Sequence, residues 1–131
     1  MALELQVLGW AGVLAIVQLM VFAVRANREI DQAWLAGPRD TPMPQAMSPL
    51  CGRMQRAFQN HMEGLVLFAI AVGVVVVGNA SSALTEAAAV IYLLARIAYA
   101  PVYWIGTPWL RSAIWGVGMV ATLAMLLAAL L

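Results

Sequence analysis

Residues 51–64 read CGRMQRAFQNHMEG, and residues 65–78 read LVLFAIAVGVVVVG. The first segment carries Arg53, Arg56, Asn60, His61 and Glu63, whereas the second has no polar or charged side chain. At 1.5 Å per residue, a helix over 57–78 is long enough to cross a hydrocarbon core of about 30 Å. This stretch therefore reads as a membrane helix with a polar mouth. Two arginines, an amide and a carboxylate at the entrance to the most apolar run of the chain need an explanation.

Outward from it, three more runs qualify as spans: about Leu5–Val24, Ala83–Ala100 and Ala113–Leu131. Only 10% of the 131 residues are charged, against roughly 25% in ordinary soluble chains. The expectation is an all-α, integral membrane four-helix bundle formed by a single domain over residues 1–131. The first span starts MALELQ, without a basic residue, and reads as a retained helix instead of a signal peptide. Cys51 is the only cysteine, so no disulfide forms within the chain. A formal charge of +1 gives no reason to expect nucleic acid as a partner, and no metal site is expected.

The connections are marked by breakers. AGPRDTPMPQAMSP, residues 36–49, holds four prolines and predicts a loop of about a dozen residues. The second helix is expected to start near Pro49–Cys51 and to stop at Gly78–Asn79. Ser81 or Ser82 caps the third, with Glu86 in its first turns. So short a connection makes these helices antiparallel neighbours. Pro101 should bend or end the third helix. In GTP, residues 106–108, Thr107 is the expected cap and Pro108 the first helical residue.

With alternating helix directions, Arg25, Arg28, Arg39, Arg53, Arg56, Arg96 and Arg111 all lie towards one membrane face, and Glu4 and Glu86 lie at the other. The positive-inside rule makes the arginine face cytoplasmic and places both termini outside. At 100° per residue, Arg53, Arg56, Asn60 and Glu63 fall within an arc of about 80°. Tyr92, Arg96, Tyr99 and Tyr103 form a stripe on the third helix by the same spacing. His61 points away from the Arg53–Glu63 stripe and reads as an interfacial or loop-contacting residue. Trp104, Trp109 and Trp115 read as interfacial belt residues. Charges at membrane depth face a bundle interior or a cavity. The inward set Arg53, Arg56, Arg96 and Arg111 has one internal counter-ion, Glu63, and this excess of positive charge suits a bound anion.

RMQRAFQNHMEG, residues 53–64, resembles the pattern R-x-x-R-A-x-x-N-x-x-E of the membrane-associated eicosanoid and glutathione metabolism (MAPEG) family. LLARIAYAPVYWIGTPWLRS, residues 93–112, resembles the same family's third-helix end, short turn and Arg-Ser at the start of the fourth helix. The resemblance implies a homotrimer with glutathione bound between subunits near the cytoplasmic face. It also implies that Arg53, Arg56, Asn60 and Glu63 hold the peptide, with Arg96, Tyr99 and Tyr103 completing the pocket. Arg25 or Arg28 stands for the family's first-helix arginine. The implied catalytic residues are Arg111, which stabilises the thiolate, its neighbour Ser112, and Tyr103. Gly64 and Tyr99 depart from some members, which have tyrosine and histidine there. The compact chain resembles the bacterial members, so the inner membrane is the expected location.

The chemistry agrees with the resemblance. Glutathione carries two carboxylates and one ammonium, which suit arginines and Glu63 respectively. Membrane lipids surround the bundle, and a lipophilic electrophile dissolved in them can reach the sulfur. Two other readings compete. One is a non-catalytic membrane protein that keeps the fold and binds an anion or lipid. The other is a small proton-coupled exporter, which would need a carboxylate within the first helix, where this chain has only Glu4 at its outer end.

Overall fold

The computed structural model describes residues 1–131. Five helices follow in order: α1 (Leu3–Glu29), α2 (Gln32–Ala36), α3 (Pro49–Val77), α4 (Ala83–Ile105) and α5 (Pro108–Leu130). All but α2 are long and apolar enough to cross a membrane. Each of these reaches past its apolar run: residues that include arginines prolong α1, α3 and α5, and Pro101–Ile105 prolongs α4. The five-residue α2, which precedes the proline-rich loop, is an element that the sequence does not announce. Asp31 caps it, with its carboxylate accepting from the Ala33 amide at 3.3 Å. Trp34 Nε1 donating to the Thr41 carbonyl at 3.1 Å folds the rest of the loop back on it.

Side chains tie the helix ends together and fix their alternation. Glu29, at the end of α1, accepts from the Ser48 amide at 2.7 Å and from its hydroxyl at 2.8 Å, while Arg25 pairs with the same carboxylate. Ser48 Oγ in turn caps α3 by accepting from the Cys51 amide at 3.1 Å. Arg53 Nε, in the first turns of α3, donates to the Trp104 carbonyl at the end of α4 at 2.9 Å. At the opposite end of the bundle, Glu4 is fully buried. It accepts from Thr85 Oγ1 at 2.6 Å and Ser81 Oγ at 2.7 Å, joining the start of α1 to the start of α4. The Glu4 carboxylate thus turns into the bundle, away from the outer surface. Glu4→Ala is expected to remove this staple and to cost about 1.5–3 kcal/mol, the range for a hydrogen bond to a charged group. Thermal unfolding in detergent checks it as a lowered Tm.

Ser82 caps α4 in a reciprocal arrangement with Thr85, and Gly78 with left-handed Asn79 ends α3. Pro101 does not end α4, which continues to Ile105. Its last turn is held from outside by Arg53 on the Trp104 carbonyl. Thr107 is at the cap position of α5, but its hydroxyl donates back to the Val102 carbonyl at 3.2 Å and makes no cap bond. Gly106, at φ +84°, supplies the left-handed turn between α4 and α5 that a side chain would oppose.

The core is built from small and flat residues. Phe68 and Tyr92 stack with centroids 3.9 Å apart, surrounded by Val7, Ala11, Val72, Ala89 and Met125. The alanines let helices approach closely, which supplies packing energy where lipid removes the hydrophobic driving force. Large apolar residues such as Ile16, Val66, Leu94 and Val120 lie on the outside, as a bilayer solvent requires.

Candidate functional site

A cavity of about 360 Å³ opens between α3, α4 and α5, lined by Arg56, Gln59, Asn60, Glu63, Tyr99, Tyr103, Arg111, Ser112 and Trp115. Its volume is within the range of small-ligand sites. Arg56, Gln59, Asn60 and Glu63 share one face of α3 by i, i+3, i+4, i+7 spacing. Arg111, Ser112 and Trp115 face them from the first turns of α5. Tyr99 and Tyr103, packed edge to face 5.7 Å apart, form the wall contributed by α4. Arg56 Nε donates to the Tyr103 hydroxyl at 3.1 Å. The Arg111 guanidinium lies over the same ring, 4.6 Å from its centroid. Tyr103 therefore separates two guanidiniums that would otherwise repel at closer range, and it holds both at the cavity edge.

The lining has two guanidiniums and one carboxylate, a net charge of +1. The Arg111 guanidinium has no hydrogen-bond partner within the chain, and Glu63 pairs with no arginine, since the one ion pair is Arg25–Glu29. The expected role of Glu63 as internal counter-ion is therefore corrected. Its carboxylate is exposed on the surface of the chain, facing the cavity. The excess of charge at the cavity is also smaller than the sequence implied, because Arg53 and Arg96 point elsewhere.

Arg53 is spent on the Trp104 carbonyl. Arg96 is only 2% exposed and sits behind the cavity wall. Its Nε donates to His61 Nδ1 at 3.2 Å, its terminal nitrogen donates to Asn60 Oδ1 at 3.0 Å, and its guanidinium lies 4.3 Å from the centre of the Tyr99 ring. Arg25 is engaged with Glu29, and Arg28 is exposed on α1; neither lines the cavity. Tyr92 shares the stripe on α4 but belongs to the apolar core.

His61 is corrected most. It is fully buried, not interfacial, and its Nε2 bonds the Ala11 carbonyl on α1 at 2.9 Å. The side of α3 opposite the polar stripe is covered by α1, which spacing on α3 alone does not reveal. Trp115, expected in the interfacial belt, lines the cavity. Gln59 and Trp115 were missed as site residues. Their signal was present in the sequence: Gln59 is three residues after Arg56, and Trp115 is four after Arg111. Gly64 is buried on the inward face of α3, where a Cβ would meet the Tyr92 hydroxyl at 3.6 Å and Met119 at 3.7 Å.

Four antiparallel apolar helices with a cationic cavity near one end define an integral membrane protein with a polar ligand-sized site. The MAPEG family profile matches residues 7–131, nearly the whole chain. The protein belongs to the MAPEG family, whose members are membrane-associated proteins of eicosanoid and glutathione metabolism. No curated protein and no solved structure matches the chain.

Proposed function

We propose that the protein is a glutathione-dependent membrane transferase or peroxidase acting on lipophilic electrophiles. The observation that carries this reading is the charge pattern of the cavity. Arg56 and Arg111 stand on opposing helices with Glu63 and Asn60 between the helices' polar faces, and the net charge is +1. Glutathione with its thiol protonated carries a net charge of −1, from two carboxylates and an ammonium. The donor set fits: guanidiniums for carboxylates, Glu63 for the ammonium, and an amide for the peptide backbone.

Bound glutathione would supply a nucleophilic sulfur. Arg56 binds a carboxylate, with Tyr103 holding its Nε so that the remaining N–H groups point at the ligand. Glu63 fixes the opposite, ammonium end. Arg111 and Ser112 place a positive charge and a hydroxyl where the sulfur is expected, favouring the thiolate over the thiol. Trp115 and the apolar outer surface offer the electrophile a route from the bilayer. The experiment is saturable binding of glutathione to the purified protein, together with turnover of a generic aryl halide. Binding without turnover would favour the alternative, a non-catalytic membrane protein that retains the fold and binds an anion.

A homotrimer completes the site in this proposal. Glu63 is followed by an uncharged stretch to Val77 that spans about 21 Å. This places the carboxylate within the depth of a hydrocarbon core about 30 Å thick, where facing lipid would cost several kcal/mol. A neighbouring subunit covering the cavity removes that cost and could bring Arg25 or Arg28 of α1 to it. The arginine-rich end faces the cytoplasm of a bacterial inner membrane, with both termini outside. Native mass spectrometry is expected to find trimers, and a C-terminal reporter that works only in the cytoplasm is expected to stay silent. A monomer, or an active reporter, would contradict the respective statement.

A further inference from the structure

The wall behind the cavity decides which way Asn60 faces. A guanidinium only donates, so the atom of Asn60 within 3.0 Å of the Arg96 terminal nitrogen must be the amide oxygen. The planar amide then turns its NH2 group the other way. That group has no partner within the chain, and Asn60 lines the cavity. Arg96 itself is held through two of its three nitrogens, the second terminal nitrogen being buried without a partner. Its Nε donates to His61 Nδ1, so that nitrogen carries the lone pair and the ring proton is on Nε2, which donates to the Ala11 carbonyl. The Tyr99 ring covers the remaining side. No carboxylate approaches the buried charge. Three helices thus hold one cation against one amide oxygen.

We infer that Arg96 is a positioning residue: without touching ligand, it locks Asn60 as a hydrogen-bond donor into the cavity and so selects an acceptor, a carboxylate or peptide carbonyl, at that point. This deepens the glutathione reading and rests on it. An amide without such an anchor has a broad, roughly two-fold torsion and presents oxygen about as readily as nitrogen. The bond to a cation also polarises the amide and strengthens its N–H donors.

The test uses S-methylglutathione, which keeps the charges of the peptide but has no thiol, and measures its affinity for the full-length protein in detergent. Arg96→Met is expected to weaken binding roughly two- to tenfold, the range for one neutral hydrogen bond. In an Asn60→Ala background, the same change is expected to have little further effect. A purely structural role for Arg96 would instead give losses that multiply. Because Arg96→Met empties a buried charged site and can impair folding, Asn60→Asp provides the second arm. Aspartate still accepts from Arg96 but offers no N–H, so Asn60→Asp is expected to keep the wild-type Tm or raise it while losing at least as much affinity as Asn60→Ala. Wild-type affinity in Asn60→Asp, or multiplying losses in the double variant, would overturn the inference alone. Absence of binding by the wild-type protein would overturn the glutathione reading and this inference together.

Discussion

Arg56→Ala is expected to weaken glutathione binding about 10- to 150-fold, equivalent to losing one charged hydrogen bond of about 1.5–3 kcal/mol. Arg56 stands on the cavity face of α3, one turn from Asn60 and two from Glu63, with its Nε already committed to Tyr103. Only its terminal nitrogens remain for a ligand carboxylate. S-methylglutathione is expected to lose the same factor, because the interaction does not involve sulfur. The pKa of the bound thiol should stay where it is. Arg56→Lys should recover only part of the affinity, since an ammonium cannot bond Tyr103 through Nε and fork towards a carboxylate at once. Calorimetric titration of both ligands checks this. Unchanged affinity in Arg56→Ala would remove Arg56 from the binding set.

Arg111→Ala is expected to act on rate through the thiolate. Arg111 stands across the cavity, unpartnered, against the Tyr103 ring. A cysteinyl thiol ionises near pH ~8.5, and an arginine that lowers this by about 2 units contributes about 2.7 kcal/mol to the thiolate state. At pH 7 the thiolate fraction would fall from roughly three quarters to a few per cent, so turnover of a generic electrophile should drop about 25-fold. The sign of the pH dependence follows. The raised thiol pKa of the variant means that its rate recovers as pH rises through ~8.5, and the two rates converge about a unit or more above that, where the bound thiol is ionised in both. Linkage also weakens glutathione affinity, by only about fourfold at pH 7 and hardly at all near pH ~5.5. S-methylglutathione should bind equally to both. A pH–rate profile that falls in parallel at all pH values would show that Arg111 acts on some other step.

The four spans were legible because the signals are local. Long apolar runs set the helices, and Ser82, Gly78 and Pro108 set three of their ends where spacing indicated. The polar stripe on α3 and the Arg-Ser start of α5 were legible for the same reason, and they do face one cavity. Partner choice was not legible. Arg53 and Arg96 have the spacing of cavity residues, yet each is captured by a group some 36 to 51 residues away in the chain. A guanidinium on a flexible stem reaches whichever acceptor the neighbouring helix presents, and periodicity on its own helix does not determine that. His61 shows the same effect, because its burial depends on α1 lying against α3. The short α2 depends on one Asp31 cap and loop packing, which leave no apolar period to read.

The central claim is that the cavity binds glutathione and holds it as thiolate. The most direct measurement is the ultraviolet difference absorbance of the wild-type protein in detergent at pH 7, titrated with glutathione and, as control, with S-methylglutathione. A saturable thiolate band that appears with glutathione alone, and is greatly reduced in Arg111→Ala, is the predicted result. Saturable binding of both ligands without a thiolate band would contradict thiol activation and favour a binding protein, and no binding of either would contradict the account of the cavity itself.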